Sequence, residues 1–373
     1  MPSPTQRPWR IVHSECSLGW GGQEHRVLAE LEGFKRRGCD VWLLAPQEAE
    51  VFKRAMAAGI PAQSLNVSRL LYPFSAMKLA NWLRRHRVEI VNTHSSRDGW
   101  LVGVAARLAR VPLVIRTRHI DVDYPNRWLS RHAFTTFADH VVTTSARITS
   151  HFQEMFGLPA DRISTVPTGI ELGRFRPDGP RAELVPGLGR ESPPLIGMVS
   201  VLRSWKGHPV FLDAAKQLVD AGVKARFVIV GEGPVRLRIE QQVAALGLGG
   251  LVTLTGHRED VPEVLRSLSV LAIPSTAHEG VPQIGLQALA CGTPVVGSDV
   301  GGIPEIIRHG ETGRVFKSGD AGALTAAIRE TIEQREVSAA MSARGREMVE
   351  KHHSFDAMLG TLDALYSRLL PQR

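Results

Sequence analysis

The sequence predicts an α/β protein that is built from two doubly wound parallel sheets, one in each of two domains. The chain has 373 residues, more than the roughly 100–200 that a single domain usually spans. Short β-branched runs that are apolar on both faces alternate with amphipathic stretches, as strands buried on both sides of a parallel sheet require. A proline-rich break interrupts this alternation near the middle and marks the boundary between the domains.

The first half contains six predicted strands with helices between them. The strands are at 10–13, 41–45, 89–93, 113–117, 140–144 and 163–166, and the clearest helices are at 23–37, 74–87 and 99–109. We expect residues 1–185 to form the first domain. The break at 176–194 contains five prolines and reads as a linker.

The second half restarts the same alternation and then ends in helices. Its predicted strands are at 195–201, 225–230, 251–255, 270–274 and 294–297, followed by helices at 321–333, 337–351 and 355–370. We expect 190–354 to form the second domain and 355–373 to pack back on the first. Because doubly wound sheets bind ligands at the carboxyl ends of their strands, two facing sheets predict a cleft between the domains.

Charge and composition limit the partners and the compartment. The formal net charge of +8 lies entirely within residues 1–185, which indicates an anionic partner for that half, either nucleic acid or a membrane surface. No nucleic-acid-binding motif accompanies the charge. The amino terminus lacks the apolar core of a signal peptide, no apolar run is long enough to span a bilayer, and three scattered cysteines suit reduced thiols. We therefore expect a cytoplasmic protein.

Two glycine-rich turns follow predicted strands and precede helices. Gly21 and Gly22 stand before the first helix, where free N–H groups and the helix dipole can receive a phosphate. Gly231 and Gly233 occupy a similar turn in the second half, for which a purely structural role is the competing interpretation. Both pairs are candidate donor-binding residues.

Two further segments of the second half carry chemistry. Arg203 and Lys206 lie just after its first strand, where cations suit a diphosphate leaving group. Residues 279–296 run from a strand end through a Gly-Val-Pro turn into a short helix, which can offer hydrogen bonds to sugar or ribose hydroxyls. The candidate residues in this segment are Glu279, Val281, Gln283 and Gln287.

These motifs, taken in order, resemble the family 4 retaining glycosyltransferases, whose two facing Rossmann-like domains form the GT-B fold. The resemblance covers nearly the whole chain, and it implies that the first domain is the acceptor side of the site and that the second domain binds the donor. The motifs that carry it lie at 21–24, 117–119, 166–170, 206–207, 231–234, 279–296 and 301–305. The resemblance implies transfer of a sugar from a nucleotide diphosphate sugar, with a UDP-sugar favoured and GDP-mannose open. It implies retention of configuration and a glycan or lipid-linked acceptor of the kind used to build lipopolysaccharide and the bacterial cell envelope.

The resemblance also assigns roles residue by residue. Glu279 matches the first acid of the Glu-x7-Glu motif, which contacts hydroxyls of the donor sugar, and Lys206 matches the phosphate-binding lysine. The second acid, which holds the ribose, falls at Gln287. His119 matches a histidine beside the sugar and the phosphate. We therefore expect His119, Glu279, Arg203 and Lys206 to form the catalytic set.

Two other positions depart from the family pattern. Val201 stands where the family has a phosphate-binding arginine, so we propose Arg203, two residues later, as its substitute. Pro282 replaces a glycine and removes one backbone N–H from the turn. Gln287 replaces an acid but can still bind ribose hydroxyls.

The resulting mechanism needs no cofactor and no metal, because cationic side chains and helix ends can stabilise the departing diphosphate. A metal-dependent alternative rests on Asp121 and Asp123. A same-fold UDP-sugar epimerase or hydrolase, and a two-lobed binding protein without enzymatic activity, remain as alternative functions. A dinucleotide-binding dehydrogenase is disfavoured because Glu24 stands where its fingerprint needs a glycine. The expected partners are a nucleotide-sugar donor, an anionic glycan or lipid-linked acceptor and the cytoplasmic face of the inner membrane, but not nucleic acid.

Overall fold

The computed structural model describes residues 8–65, 72–120, 127–187 and 193–370 of the chain, which folds into two compact units. The first unit comprises Met1–Pro167 with Met358–Arg373, and the second comprises Thr168–Ala357. Each unit is built on one sheet, and every pairing between strands of these sheets is parallel. The prediction of two doubly wound parallel sheets is therefore confirmed.

The first unit has seven strands in the order β3-β2-β1-β4-β5-β6-β7. They are β1 (Arg10–Ser14), β2 (Asp40–Ala45), β3 (Ala62–Ser64), β4 (Ile90–Thr93), β5 (Leu113–Arg118), β6 (His140–Thr143) and β7 (Ile163–Thr165). The helices between them are α1 (Gly22–Arg36), α2 (Glu50–Ala57), α3 (Tyr72–Arg85), α4 (Ser96–Ala109), α5 (Arg127–Thr135) and α6 (Ala146–Phe156).

The second unit has six strands in the order β10-β9-β8-β11-β12-β13. They are β8 (Leu195–Val199), β9 (Arg226–Val230), β10 (Val252–Gly256), β11 (Val270–Ile273), β12 (Val295–Ser298) and β13 (Arg314–Phe316). Its helices are α7 (His208–Asp220), α8 (Arg236–Ala245), α9 (Val261–Ser267), α10 (Gln283–Ala290), α11 (Ile303–Ile306), α12 (Ala321–Glu333) and α13 (Arg335–His352).

Strand β9 shows why these runs form a sheet covered on both faces. Phe227 and Ile229 pack into one hydrophobic core, while Val228 and Val230 pack into the core on the other face. Side chains alternate between the faces of a strand, so a strand that is apolar at every position must be buried on both sides. The helices of the second unit supply those two covers.

The proline-rich segment after Pro167 packs on the second unit. Phe175 and Leu184 join one of that unit's cores, and the guanidinium of Arg266 donates to the carbonyls of Arg176 and Pro180 at 3.2 and 2.7 Å. The division between the units therefore falls at Pro167, before the expected linker, because these contacts fix the first part of that segment to the second unit.

The last helix, α14 (Phe355–Leu369), packs against the first unit from Met358 onward. The Tyr366 ring stacks on Phe34 of α1 with 5.5 Å between centroids. The indole Nε1 of Trp9 donates to the Asp363 carboxylate at 2.9 Å. An aromatic pair and a hydrogen bond to a charged group thus fix α14 to α1 and to the residue before β1.

Predicted and observed elements agree closely where the apolar runs are long. The sequence did not predict β3 or β13, because two of the three residues of β3 are polar and β13 begins with an arginine, so neither shows an apolar run. Among the helices that the structure describes, none combines the length and apolar character needed to cross a membrane.

Candidate active site

The loops after β8 and β11 meet at the point where the strand order of the second sheet reverses. Such switch points, outside the carboxyl ends of the strands, are where doubly wound sheets bind ligands. Lys206 follows β8 and Glu279 follows β11, and Nζ of Lys206 lies 2.5 Å from Oε1 of Glu279. The structure therefore brings together two of the predicted catalytic residues.

Glu279 and Lys206 differ in how much of each side chain solvent can reach. The Glu279 side chain is 7% exposed, whereas the Lys206 side chain is 23% exposed. The Glu279 carboxylate also accepts a 2.6 Å hydrogen bond from Oγ of Ser275. A buried carboxylate needs partners, and Lys206 and Ser275 supply them. The lysine is the member of the pair that remains accessible to a ligand.

Gly207 allows the Lys206 loop to approach β11 closely. Its φ is +78°, and a Cβ at this position would lie 1.8 Å from the carbonyl oxygen of Pro274. The N–H of Thr276 donates to the carbonyl of Trp205 at 2.7 Å, which joins the two loops. Only glycine fits this approach, so the glycine after Lys206 helps to set the lysine beside Glu279.

Arg203 lies on the same loop as Lys206 but extends into solvent. Its guanidinium carbon is 5.7 Å from the centroid of the Trp205 ring, and its carbonyl accepts from the Lys206 N–H at 3.1 Å. The isopropyl group of Val201 is 39% exposed nearby in the chain. Arg203 therefore offers an exposed cation on the loop that carries Lys206, whereas the side chain of Val201 has no charge.

The candidate residues around α10 divide into backbone and side-chain donors. Val281 is buried in a hydrophobic core, so only its backbone can reach a ligand. Gln283 and Gln287 are half-buried and four residues apart on α10, which places them on one side of the helix. Pro282 precedes the helix and lacks the N–H that a glycine would offer.

Gly231 and Gly233 pack against the segment that leads to Lys206. A Cβ on Gly231 would lie 1.9 Å from the Ser200 carbonyl oxygen, and one on Gly233 would lie 2.4 Å from that of Leu202. The Leu202 N–H donates to the Glu232 carbonyl at 2.9 Å. Loop packing alone therefore requires these glycines, which supports the structural interpretation of the turn.

The glycine turn of the first unit has acidic surroundings. The Gly21 N–H donates to the Glu24 carboxylate at 2.8 Å, so a side chain already accepts from the amide offered to a phosphate. Glu15 lies beside this turn and accepts from Gln23 at 2.5 Å. Burial, and then the neighbouring Asp98, raise the pKa of Glu15 to about 8. Gly21 and Gly22 thus lie among hydrogen-bonding acids, which suit hydroxyl groups better than a phosphate.

His119 is the last member of a chain of three buried histidines at the carboxyl edge of the first sheet. His13 is the last residue but one of β1, His94 follows β4 and His119 follows β5. Nε2 of His119 lies 2.9 Å from Nδ1 of His94, and Nε2 of His94 lies 3.0 Å from Nδ1 of His13. His13 and His94 are fully buried, whereas 9% of His119 is exposed. Within this unit, His119 is the member of the chain that reaches the surface.

Burial keeps the three histidines uncharged. Desolvation lowers the pKa of His13 to about 4, against a smaller opposing effect of Glu30. Desolvation also lowers the pKa values of His94 and His119 well below the ordinary value, with neighbouring histidines and Arg26 adding to it. Each ring is therefore neutral at neutral pH and carries one N–H.

Glu30 stands at the buried end of this chain. Its Oε2 lies 3.8 Å from Nδ1 of His13, and its Oε1 accepts from Nε of Arg26 at 2.6 Å. His13, Glu30 and His94 also present three atoms within 4.8 Å of one another that could hold a metal ion. The Arg26 guanidinium already neutralises this carboxylate, so the surroundings are those of an ion pair rather than of a vacant cation site.

Sequence reasoning assigned no role to His13, His94, Glu30 or Ser275. A signal for the histidines was present, since each of the three stands at the end of a predicted strand, and parallel strands end at one edge of a sheet. Glu30 lies within a helix and Ser275 within a loop, and neither position carries such a signal. Asp121 and Asp123, the basis of the metal-dependent alternative, lie outside the described residues.

Two family models match consecutive parts of the chain. The model described as Glycosyltransferase Family 4 matches residues 20–174, and the model described as Glycosyl transferases group 1 matches residues 181–348. The first match includes His94 and His119 but begins after His13, and the second includes the Lys206–Glu279 pair. Together they include nearly every candidate residue described above.

Individual relatives cover most of the chain. An Escherichia coli UDP-Gal:alpha-D-GlcNAc-diphosphoundecaprenol alpha-1,3-galactosyltransferase is 28% identical over 86% of this chain and 87% of its own. A Mycobacterium tuberculosis GDP-mannose-dependent alpha-(1-6)-phosphatidylinositol monomannoside mannosyltransferase is 28% identical over 78% of each chain. The crystal structure of Anabaena HepE in complex with UDP superposes with a TM-score of 0.86 at 20% identity, covering 96% of this chain and all of that one.

Proposed function

Since the chain belongs to the family 4 glycosyltransferases, we propose that it transfers a sugar from a UDP-sugar to a glycan or lipid-linked glycan with retention of configuration and without a metal ion. The observation that carries the donor side of this proposal is the Lys206–Glu279 pair at the switch point of the second sheet. Its relatives use nucleotide sugars that differ in base, and the E. coli and Anabaena names favour UDP.

Lys206 is proposed to stabilise the departing diphosphate. Cleavage of the anomeric C–O bond leaves its electron pair on a phosphate oxygen, and a fixed cation lowers the energy of that charge as it develops. Lys206 has access to solvent, is held by the Gly207 turn and stands near Arg203, which can supply a second cation. The pairing with Glu279 keeps the ammonium group positioned before the donor binds.

Glu279 is proposed to hold hydroxyls of the donor sugar. The carboxylate is fixed by Lys206 and Ser275, and an ionised carboxylate only accepts hydrogen bonds, so it selects for hydroxyl donors. Gln287 is proposed to contact the ribose and Gln283 to contribute from the first turn of the same helix. Because an amide replaces an acid at Gln287, we expect ribose binding to survive with altered strength.

His119 is proposed to contact the sugar as it is transferred. The acceptor hydroxyl then attacks the anomeric carbon from the side that the diphosphate leaves, and its proton passes to the departing phosphate oxygen. This same-face route accounts for retention without a carboxylate nucleophile on the opposite face. His119 stays neutral during this step and can contribute a hydrogen bond.

The acceptor is proposed to be anionic and lipid-linked. The first unit carries 24 Lys and Arg against 15 Asp and Glu, whereas the second carries 21 against 22. We define the α3 outer face as Phe74, Met77, Lys78, Arg84 and Arg85, all exposed on one side of α3. Apolar residues followed by cations suit the interface of an anionic membrane. Contact with the cytoplasmic face of the inner membrane would then be peripheral and reversible.

Nucleotide specificity can be tested directly. In a thermal-shift panel of UDP, GDP, ADP and their sugars, we expect the largest rise in Tm with UDP or a UDP-sugar, since a ligand that binds only the native state stabilises it. Incubation of that sugar with an undecaprenyl-diphosphate glycan should then give a product in which the new bond keeps the anomeric configuration of the donor. Hydrolysis or epimerisation of the donor without transfer would contradict the proposal.

Membrane contact can be tested by cosedimentation with vesicles. We expect binding to anionic vesicles at low salt, loss at high salt, and weaker binding by a Phe74→Ser/Met77→Ser variant. Leu237→Ser is the matched control, because Leu237 is 66% exposed on α8 of the second unit. Equal binding to anionic and zwitterionic vesicles would contradict an electrostatic contact and favour a soluble acceptor.

A further inference from the structure

The three buried histidines cannot choose their tautomers independently. Each neutral ring carries one proton, and the two bonds of the chain need one proton each. His94 takes part in both bonds, so it donates in one and accepts in the other. Fixing the proton on His94 therefore fixes the protons on His13 and His119 as well.

Only two arrangements satisfy both bonds. In the first, Nδ1 of His13 donates to His94, Nδ1 of His94 donates to Nε2 of His119, and the proton of His119 resides on Nδ1. In the second, every bond is reversed, and His119 carries its proton on Nε2. The two arrangements thus present opposite characters at Nδ1 of His119, a hydrogen-bond donor or an acceptor.

The charge of Glu30 favours the first arrangement. The Glu30 carboxylate lies 3.8 Å from Nδ1 of His13 and attracts a proton to that nitrogen. Nε2 of His13 is buried without a hydrogen-bond partner among the described residues. That nitrogen lacks a partner in both arrangements, as a bare acceptor in the first and as an N–H in the second, so the preference for the first arrangement rests on the charge of Glu30.

We propose that Glu30, His13 and His94 are positioning residues that hold His119 in the tautomer whose proton resides on Nδ1. His119 makes its only hydrogen bond from the ring within the described residues through Nε2, which leaves Nδ1 as the nitrogen available to a ligand. A neutral imidazole then donates to a substrate oxygen at Nδ1, without the positive charge of an imidazolium. The identity of that oxygen, on the donor sugar or its phosphate, rests on the proposed function. The tautomer itself does not.

The wild-type protein provides the first test, with no variant needed. Long-range ¹H–¹⁵N NMR correlations of protein labelled at the histidine rings distinguish a protonated from a bare ring nitrogen. We expect His119 to have a protonated Nδ1 and a bare Nε2, with His94 and His13 in the same form. A proton on Nε2 of His119 would overturn the proposal.

Two substitutions test whether the buried end of the chain controls the exposed end. Glu30→Gln removes the charge, and His13→Asn replaces the ring with an amide that can either donate or accept at the Nδ1 position. We expect both to reduce the fraction of His119 that is protonated at Nδ1. His140→Asn is the matched control, since His140 is also buried, on β6, but bonds to Ser164 and takes no part in the chain of three histidines. A His119 signal that both variants leave unchanged would overturn the control exerted by Glu30 and His13.

Kinetics separate this proposal from the proposed function. If the Nδ1 donor acts in the transition state, His13→Asn should lower kcat on the order of tenfold or more with little change in KM for the donor. A shifted tautomer with unchanged kcat supports the positioning chain and refutes the role given to His119 in transfer. An unchanged tautomer refutes the positioning chain whatever the rate.

Discussion

The two sheets have the same topology at their switch points but carry different chemistry there. In the first unit, residues at the ends of β1 and β4 form a neutral chain of histidines, which burial keeps uncharged. In the second unit, Lys206 after β8 and Glu279 after β11 form a charged pair, of which the lysine is the member that solvent can reach. The proposed function assigns these two edges different tasks: a preorganised charge for a phosphate, and an oriented neutral hydrogen bond for a sugar.

Removal of the Lys206 charge from the second unit should cause the largest fall in turnover of the changes considered. Lys206→Ala deletes the cation that we propose to stabilise the leaving group, and loss of one preorganised stabiliser typically costs about 3–4 kcal/mol of transition-state energy, or 10²–10³ in kcat. The Ser275 hydroxyl would still partner Glu279, so the unit should fold. Turnover and the thermal unfolding curve of the variant measure both expectations.

Lys216→Ala controls for the loss of a lysine from the same unit. Lys216 is a half-buried residue of α7 whose side chain is 38% exposed and pairs with Asp220 one turn away, and we expect its removal to leave turnover unchanged. Arg203→Ala should lower kcat less than Lys206→Ala does, since its side chain is exposed and not held against Glu279. Normal turnover in Lys206→Ala would contradict the assignment of the leaving-group site to the second unit.

The charged pair was predictable from sequence in a way that the histidine chain was not. Lys206 and Glu279 each follow a strand, next to a glycine turn, in segments with a family resemblance. The role of Glu30 depends on where one turn of α1 packs against the end of β1, and helix periodicity alone does not give that position. Most strands were predictable because buried parallel strands are apolar at every residue. The edge strand β7 was predictable because the apolar Ile163 and Val166 bracket it, whereas β3 and β13 lack such a run.

The stability of a Glu15 variant tests whether the carboxyl edge of the first sheet is uncharged. The fold raises the pKa of Glu15 from 4.5 to about 8, first through burial and then through Asp98. Above pH 4.5 the unfolded chain releases this proton while the folded chain retains it, so the native state is penalised increasingly up to about pH 8. We expect Glu15→Gln to raise Tm by a few degrees at pH 8.5 and to have little effect at pH 4.5.

Glu32→Gln is the control for this comparison, because Glu32 lies on α1 with 38% of its side chain exposed. Its effect on Tm should be small and should not depend on pH in this range. A Glu15→Gln effect that is the same at both pH values would mean that Glu15 is ionised in the fold. The glycine turn at Gly21 would then face a negative charge rather than a neutral acid.

The smallest effect is expected from chelation. We predict that transfer continues at an essentially unchanged rate in excess EDTA, because the charge that develops on the diphosphate is stabilised by Lys206 and by the amino end of α10. Loss of activity that Mg²⁺ or Mn²⁺ restores would instead point to a metal, and two groups compete for it. If restoration disappears in Asp121→Asn/Asp123→Asn but persists in His94→Asn, the aspartates hold the ion. The reverse result would assign the ion to the carboxyl edge of the first sheet, where it would have to displace Arg26 from Glu30. The two sheets would then differ in whether they bind a metal ion rather than in the charge of their side chains.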